Sequence, residues 1–302
     1  MKEIFITGAN SFIGMYLIEE LLKKDYNITA IVRRNTNNKK IYNIKNIKII
    51  ELNLDEIKNL KNVKIDAFFH LSWDGTRGET RNDIKLQESN VENSIDILNK
   101  AKELGCKVFF TAGSQAEYGI YTNCVTELDS CNPNTEYGKA KLKFYQYALQ
   151  FCIQNKIRLI EPRFFSLYGK GDYEKTLIIS IIDKMLKDEP VDLTECIQTW
   201  NFLNIKDAAI KLVLLLENEK AKGIYNFGSK DTRILKEFVE EIKKIINSKS
   251  TLNYGKVSYG KAGIINVNPN IKKLQKDTEN FEELSFEEGI LQIVKEKKNE
   301  KN

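Results

Sequence analysis

The sequence has little of the residues that mark disulfide, metal and membrane proteins. Its 302 residues include one histidine, four prolines and five cysteines, and no two cysteines form a Cys-x-x-Cys pair. An odd number of scattered cysteines predicts reduced thiols rather than disulfides or a zinc site, so we expect no bound metal. No apolar run approaches the roughly 18 residues of a membrane helix, and the first residues form no signal-peptide core. We therefore expect a soluble cytoplasmic protein that does not bind membranes.

A large excess of charge of one sign is also absent. The 47 Lys and Arg residues and the 42 Asp and Glu residues leave a net charge of +5, which over this length gives no reason to expect a nucleic-acid partner. The 42% of hydrophobic residues are enough for a packed core and exclude a disordered chain.

The first half of the chain alternates short apolar runs with helix-length segments. The runs are rich in Ile, Val, Phe and Leu and cover residues 4–7, 28–32, 47–52, 67–71, 108–111 and 159–162. Apolar strands separated by helices are typical of a parallel sheet buried on both faces. We predict an α/β fold with a doubly wound, Rossmann-like domain over residues 1–165 and a smaller α+β substrate domain over residues 166–302. The segment 203–218 is expected to pack back on the first domain, and the cleft between the domains is the expected ligand site.

A glycine turn follows the first predicted strand and opens a helix. It reads Thr-Gly-Ala-Asn-Ser-Phe-Ile-Gly over residues 7–14. Such a turn lets backbone N–H groups at a helix N-terminus approach a pyrophosphate, with Gly8 forming the turn and Gly14 allowing helix and strand to pack. The position of the motif in the first βα unit predicts dinucleotide binding.

Arg33 stands where the second predicted strand ends. An acidic residue there would bond the ribose 2′-hydroxyl of NAD, whereas an arginine accommodates the 2′-phosphate of NADP. The sequence thus favours NADP, with NAD as the alternative.

Three further residues form a candidate proton-transfer site. Tyr137 and Lys141 are four apart on one helix face, and a nearby ammonium would lower the tyrosine pKa. Ser114 follows the fifth strand, at the sheet edge where ligands collect, and could orient a substrate oxygen that Tyr137 protonates. The only histidine, His70, lies on the fourth strand and is expected to be packed or beside the cofactor rather than a base.

Several motifs in the same order resemble those of the extended short-chain dehydrogenases/reductases of the NAD-dependent epimerase/dehydratase family. The resemblance covers nearly the whole chain and rests on the glycine turn, His70-Leu71-Ser72-Trp73, Asn90, Ser114 with Tyr118-Gly119, Tyr137-x-x-x-Lys141, the stretch 162–169, and the segment 198–202 with Asp207. It implies that Ser114, Tyr137 and Lys141 are the catalytic triad, that the substrate is a nucleotide-diphosphate sugar, and that the protein is a homodimer formed through the helices near 83–104 and 137–154.

The resemblance also defines two wider sets of candidate residues. The cofactor set lies at the glycine turn and the ends of the strands and comprises Gly8, Asn10, Ser11, Phe12, Ile13, Gly14, Arg33, Asn53, Leu71, Ser72, Trp73, Asn90, Ala112, Tyr137, Lys141 and Phe164. The substrate set comprises Trp73, Ser114, Gln115, Ser166, Tyr168 and Gln198. Ser11 stands where the family usually has a glycine, and Ser166 where it usually has an asparagine.

Departures from the family pattern reduce the number of reactions that we expect this protein to catalyse. Gln115 and Ala116 replace the acid/base pair of the family's 4,6-dehydratases, so dehydration is not expected. An NADPH-dependent reductase of a nucleotide-linked 4-keto-6-deoxyhexose is the favoured function, and the Trp73–Gly78 loop is similar to that of the abequose-synthase type of CDP-sugar reductase. An NAD-retaining 4-epimerase is the alternative, and a non-catalytic NADP-binding sensor is a remote one.

Overall fold

The computed structural model describes residues 2–34, 39–61, 63–260 and 263–299. In its first half, short runs of β-branched and aromatic residues form strands, and the segments between them form helices. The strands are β1 Glu3–Thr7, β2 Asn27–Val32, β3 Ile47–Glu51, β4 Ala67–His70, β5 Val108–Thr111, β6 Gly113–Ser114 and β7 Arg158–Phe164. The helices are α1 Phe12–Leu22, α2 Lys39–Tyr42, α3 Ile84–Glu103 and α4 Glu136–Asn155.

The second half adds shorter elements. Its strands are β8 Ser166–Tyr168, β9 Val191–Asp192, β10 Thr199–Asn204, β11 Gly223–Phe227, β12 Thr232–Ile234 and β13 Leu252–Asn253. Its helices are α5 Leu177–Met185, α6 Ile205–Glu217, α7 Leu235–Ile246, α8 Lys272–Asp277 and α9 Phe286–Asn299. The sequence indicates α5, α6, β11 and α7 but gives the region after α7 as irregular, although α9 buries Phe286, Ile290 and Ile293 there.

The main sheet is parallel and has the strand order β11-β7-β5-β4-β1-β2-β3, with β6 extending beside β7. Helices cover both of its faces, so the middle strands are apolar on both sides, as Phe68 and Phe69 of β4 show by full burial. This is the predicted doubly wound α/β fold. Because all strands run the same way, the carboxyl ends of β1, β4 and β5 meet at one edge.

Two C-terminal elements join the first half of the molecule. Helix α6 packs against α1, and β11 pairs with β7 at the edge of the main sheet. Residues 166–302 therefore do not form one separate spatial unit, although β8, β10 and β12 make a small sheet of their own. That sheet packs with α5, α7 and α9 and forms the second wall of the cleft.

His70 ends β4 and is buried between two hydroxyl groups. Its Nδ1 lies 2.9 Å from Oγ1 of Thr7 and its Nε2 lies 2.8 Å from Oγ of Ser94. Because the Ser94 hydroxyl already donates to the Asn90 carbonyl, it accepts from Nε2, and Thr7 donates to Nδ1. Burial lowers the pKa of His70 to about 3, so the ring is a neutral packing residue.

Helices in the described ranges were searched for a membrane-spanning segment, and none is long and apolar enough to cross a bilayer.

Candidate active site

The turn between β1 and α1 accepts only glycine at two positions. Gly8 has φ +67°, and a β-carbon there would lie 2.7 Å from the backbone nitrogen of Ser72. A β-carbon on Gly14 would lie 2.4 Å from the carbonyl oxygen of Gly8. Ser11, at the position where a middle glycine is usual, caps α1 by accepting from the Gly14 N–H at 3.1 Å. The turn thus stays tight without the middle glycine, and it presents a helix N-terminus to the cleft.

The three predicted catalytic side chains lie together at the carboxyl ends of the strands of the main sheet. They are Ser114, Tyr137 and Lys141. Ser114 ends β6, and Tyr137 and Lys141 lie in the first half of α4, which Thr135 caps through the Gly138 N–H. The Ser114 hydroxyl lies beside Tyr137 and lowers the pKa of its phenol. Since Oγ of Ser114 accepts from the Ala116 N–H at 3.2 Å, its own proton is available for the Tyr137 oxygen or for a ligand.

Tyr137 is surrounded by groups with opposing effects on its pKa. Burial raises the pKa of Tyr137, while the Ser114 hydroxyl and the positive charge of Arg81 lower it. The Nζ of Lys141 donates to the Ala112 carbonyl at 2.7 Å and lies 5.9 Å from the centroid of the Tyr137 ring. That Lys141 lowers the tyrosine pKa stays a prediction.

The pKa of Lys141 is lowered to about 7, close to neutral pH. Its ammonium lies over the Trp73 ring, 3.7 Å from the centroid, and burial lowers its pKa to about 7, against the opposing effect of Glu117 and Glu161. A lysine with this pKa changes charge readily when a ligand approaches.

A buried ionic cluster lies behind the lysine. Arg163 is 1% exposed, and its Nε donates to Glu161 at 2.9 Å. Its Nη2 lies 3.0 Å from Oε2 of Glu117, close enough for an ion pair but without hydrogen-bond geometry. The other oxygen of Glu117 accepts from the Ser114 backbone N–H at 2.7 Å. The cluster therefore fixes the backbone that carries Ser114.

Ser114, Tyr137 and Lys141 line a cleft of about 570 Å³, a volume typical of small-molecule sites. Of the predicted residues, it brings together Ser11, Phe12, Ile13, Leu71, Trp73, Ala112, Ser114, Tyr137, Lys141, Phe164 and Ser166. An adjoining cavity of about 310 Å³ is lined by Gly8, Asn10, Ser11, Arg33, Leu71, Ser72 and Trp73. The two cavities share Ser11, Leu71 and Trp73, so they form one continuous site along the edge of the sheet.

Gly14 lies inside the glycine turn and lines neither cavity. Five other predicted residues also line neither cavity, for identifiable reasons. The amide of Asn90 bonds both backbone groups of Asp74 and so holds the loop after β4. Asn53 precedes a turn of 3₁₀-helix, and its N–H donates to Glu56, while the neighbouring Leu52 and Leu54 line the smaller cavity. The amide oxygens of Gln115 and Gln198 accept from Tyr121 and Tyr259. The fifth residue is Tyr168.

Tyr168 is buried against Phe202 and Phe286. It lines a different cavity of about 610 Å³, together with Asp207, Asp231 and Glu241. Although this cavity is slightly larger than the cleft, its carboxylates would repel a diphosphate, and the glycine turn is not among its lining residues. Tyr168 is therefore a core residue of the second lobe rather than a sugar-facing one.

At the end of the smaller cavity, Arg33 forms an ion pair with Asp74. Both side chains are about half exposed, at 51% and 42%. Arg33, the residue expected to bind a 2′-phosphate, thus already has a carboxylate partner in Asp74.

The sequence did not single out four further residues of the site. Arg77, Asp172 and Trp200 line the cleft, and Arg81 lies over Tyr137 with its guanidinium carbon 4.6 Å from the ring centroid. Arg77 joins the two lobes, because it lies over the Tyr173 ring and 3.9 Å from Asp172. Arg77 and Trp200 lie within the Trp73–Gly78 loop and the segment 198–202, which carry part of the family resemblance, but no role was assigned to either residue from the sequence.

Metal-binding side chains were also sought. Across the described ranges, no group of three or more His, Cys, Asp or Glu residues could hold a metal ion.

Comparison with known proteins agrees with this arrangement. Residues 4–228 match the model of the NAD dependent epimerase/dehydratase family, and the chain belongs to that family. It is 28% identical over 261 residues to the CDP-abequose synthase of Salmonella muenchen, covering 85% of either chain.

Two solved structures have a similar fold. The UDP-N-acetylglucosamine 4-epimerase from Methanobrevibacter ruminantium M1, in complex with UDP-N-acetylmuramic acid, is 22% identical with a TM-score of 0.87 and 99% of both chains covered. The UDP-glucuronic acid 4-epimerase from Bacillus cereus, in complex with NAD, is 21% identical with a TM-score of 0.83, covering 97% of this chain and 96% of that one. The chain is an enzyme of the extended short-chain dehydrogenase/reductase type, in a family that includes nucleotide-sugar enzymes.

Proposed function

We propose that this protein is a 4-epimerase of a nucleoside-diphosphate sugar that retains NAD. The observation that carries the proposal is that Ser114 and Tyr137 line one cleft together with Ser11, Phe12 and Ile13 of the turn that begins α1. A proton-transfer pair beside a dinucleotide site is what oxidation and reduction of one sugar carbon require.

The residues present fit a dinucleotide. The backbones of Gly8 and Ser72 lie so close together that a β-carbon on Gly8 would clash, and they form a surface on which a pyrophosphate would lie. The N-terminus of α1 would stabilise the negative charge of that pyrophosphate. Arg33 and Asp74 would hold the adenosine ribose, and Lys141 with Phe164 would hold the nicotinamide end. A bound nicotinamide would supply the hydride acceptor and donor, and inversion at C4 requires the 4-keto sugar to turn over in the cleft so that the hydride returns to its opposite face.

The side chains of the chain handle the proton. Tyr137 takes the proton from the C4 hydroxyl and later returns it to the C4 oxygen. Ser114 donates a hydrogen bond to the same oxygen and stabilises its negative charge. Lys141, with a pKa of about 7, contributes a positive charge beside the site when it is protonated.

Arg77 is a suitable residue for the diphosphate of the substrate. Its guanidinium lines the cleft and is 56% exposed, and its present partner Asp172 is 3.9 Å away, which is a loose contact. A guanidinium binds phosphate oxygens in a bidentate manner. We expect the substrate to extend from Tyr137 past Arg77 toward the first turn of α5, which also lines the cleft.

One observation favours the epimerase over the reductase. The reason to expect NADP from the sequence is Arg33, but its ion pair with Asp74 makes the site less suitable for a 2′-phosphate and compatible with a ribose diol. The names of the two solved neighbours, both 4-epimerases and one with NAD bound, support the same choice.

The reductase remains the second candidate, supported by the similarity to a CDP-abequose synthase. The two functions differ in what happens to the nicotinamide. An epimerase interconverts two C4 epimers without net change of the dinucleotide, whereas a reductase consumes one reduced dinucleotide per turnover.

The test is to purify the full chain, identify any copurifying dinucleotide by mass spectrometry, and follow UDP-, CDP- and dTDP-hexoses by NMR with substoichiometric NAD. Epimer formation supports the proposal. Stoichiometric loss of NADPH with a 4-keto-6-deoxyhexose nucleotide, and no epimer formation, supports the reductase. Binding of a dinucleotide without either reaction supports the non-catalytic sensor.

We also propose that the chain is a homodimer formed through α3 and α4. Ile153 on α4 is 69% exposed and Tyr147 is 39% exposed, and such residues on one helix are typical of a covered face. Light scattering should give twice the mass of the chain, and Ile153→Glu should reduce it to that of the monomer.

A further inference from the structure

Arg81 occupies a defined position beside the catalytic phenol. It belongs to the turn of 3₁₀-helix Gly78–Asn82, before α3, and its guanidinium lies over the ring of Tyr137 with its central carbon 4.6 Å from the centroid. This distance is within the range of a cation–π interaction. No part of the proton-transfer mechanism described above uses this residue.

The backbone around Arg81 is held in place. Nη1 of Arg81 donates to the Thr76 carbonyl at 3.2 Å, and the side chain of Asn82 accepts from the Glu136 N–H at the start of α4. The buried amide of Gln87 donates to the carbonyls of Gly75 and Thr80, at 3.0 and 3.1 Å. The guanidinium is therefore oriented before any ligand binds, so little reorganisation is needed during the reaction.

The charged groups around Tyr137 include one cation, Arg81, that opposes the increase of the tyrosine pKa. Glu117, on the turn after β6, raises the tyrosine pKa, and burial raises it further. On α4 itself, the ammonium of Lys141 is directed to the Ala112 carbonyl and the Trp73 ring. On β7, Glu161 and Arg163 pair with each other behind the lysine. Arg81 is thus the cation whose charge favours the ionised form of Tyr137.

We propose that Arg81 is a positioning residue that stabilises the phenolate of Tyr137 through its ring face. A cation over the ring interacts more strongly when the ring carries negative charge, so the contact strengthens as Tyr137 loses its proton. The catalytic consequence of this interaction rests on the proposed function, but the interaction itself does not.

The test compares the ionisation of Tyr137 in four full-length proteins: the parent, Arg81→Gln, Arg81→Lys and Lys139→Gln. Lys139 is the matched control, because it is a cation two residues after Tyr137 that is exposed and paired with Glu136. Tyrosine is replaced throughout by 3-fluorotyrosine, whose phenol is more acidic, so that ionisation occurs while the protein is folded. The ¹⁹F signal of Tyr137 is identified by its loss in Tyr137→Phe.

We expect Arg81→Gln to move the Tyr137 titration to higher pH, Arg81→Lys to restore it in part, and Lys139→Gln to leave it unchanged. An Arg81→Gln titration that coincides with the parent, or equal shifts in Arg81→Gln and Lys139→Gln, would overturn the proposal. Circular dichroism and thermal melting establish that each variant is folded.

The kinetic readout separates this proposal from the proposed function. For substrate oxidation near neutral pH, Arg81→Gln should lower kcat by about 2- to 30-fold, the range of a cation–π contact, and displace the ascending limb of its pH profile toward higher pH. KM should change little. If the parent shows no sugar activity but the ¹⁹F titration shifts as expected, the role of Arg81 stands and the proposed function fails.

Discussion

Arg33 and Asp74 form an ion pair at the end of the smaller cavity, joining the end of β2 to the loop after β4. The pair combines the two residue types that select between NADP and NAD, and we expect its balance to decide which dinucleotide binds better.

This pair predicts the effect of Asp74→Asn on cofactor choice. Removing the carboxylate frees Arg33 for a 2′-phosphate and removes a repulsion, so NADPH binding should tighten by about 3- to 10-fold relative to NADH, as expected for exposed charges. Fluorescence titration with both dinucleotides measures this ratio. Glu79→Gln, an exposed acid on the same segment, is the control. An unchanged ratio in Asp74→Asn would show that the carboxylate does not face the ribose.

The glycine turn predicts a selective loss of dinucleotide binding in Gly8→Ala. The new β-carbon would lie 2.7 Å from the Ser72 nitrogen, which must displace the backbone against which a pyrophosphate would lie. The dissociation constant for NADH should increase more than about 10-fold.

Gly105→Ala is the matched control for Gly8→Ala. Gly105 has φ +78° and pays a similar backbone cost, but its nearest atom is a Lys64 side-chain carbon at 3.8 Å. If both variants lost NADH binding to the same extent, backbone strain would explain the loss, and the contact between Gly8 and Ser72 would not.

The catalytic pair predicts two different losses of turnover. Tyr137→Phe removes the group that transfers the proton and should lower kcat by about 10²- to 10⁴-fold. Ser114→Ala removes a donor to the reacting oxygen and should lower it by about 10²- to 10³-fold. Ser114→Thr keeps the hydroxyl and should retain more activity than Ser114→Ala. If Tyr137→Phe turned over as fast as the parent, the proton-transfer mechanism would be wrong.

The buried ionic cluster predicts a large effect on stability. Arg163→Gln leaves Glu117 and Glu161 without their cation in a fully buried position, which should lower the free energy of unfolding by about 3–5 kcal/mol. Arg34→Gln breaks an ion pair with Glu56 in which the side chains are 46% and 29% exposed, and its cost should be far smaller because water screens exposed charges. Urea denaturation of both variants compares the two costs, and similar values would contradict the buried pairing.

Much of the fold follows from local sequence patterns. The strands of the main sheet and helices α1, α3 and α4 are recognisable because apolar runs and helical periods alternate with few interruptions. Helix α9 was not predicted, because its apolar residues are separated by a highly charged sequence and are buried only in the folded protein, by contact with α7 and β10. The position of β11 in the main sheet depends on pairing with β7, more than 50 residues earlier, which no local pattern contains.

The site was predictable where it depends on spacing along one element. Gly8 and Gly14 in one turn, and Tyr137 and Lys141 on one helix face, are such cases. The approach of Arg81 to Tyr137 joins residues far apart in the sequence, and the burial that raises the Tyr137 pKa depends on the packed structure. Tyr168 was predicted to face the substrate because it belongs to a motif of the family. It instead packs in the core against Phe286, which its position in the sequence did not reveal.

The burial of His70 between Thr7 and Ser94 has a consequence for solution chemistry. The only imidazole of the chain is 2% exposed, so acylating reagents such as diethyl pyrocarbonate should not reach it and should leave the ultraviolet spectrum of the folded protein without the carbethoxyhistidine band. We then expect the response of the protein to mild acidification to come from its carboxylates and from Lys141, whose pKa burial lowers to about 7.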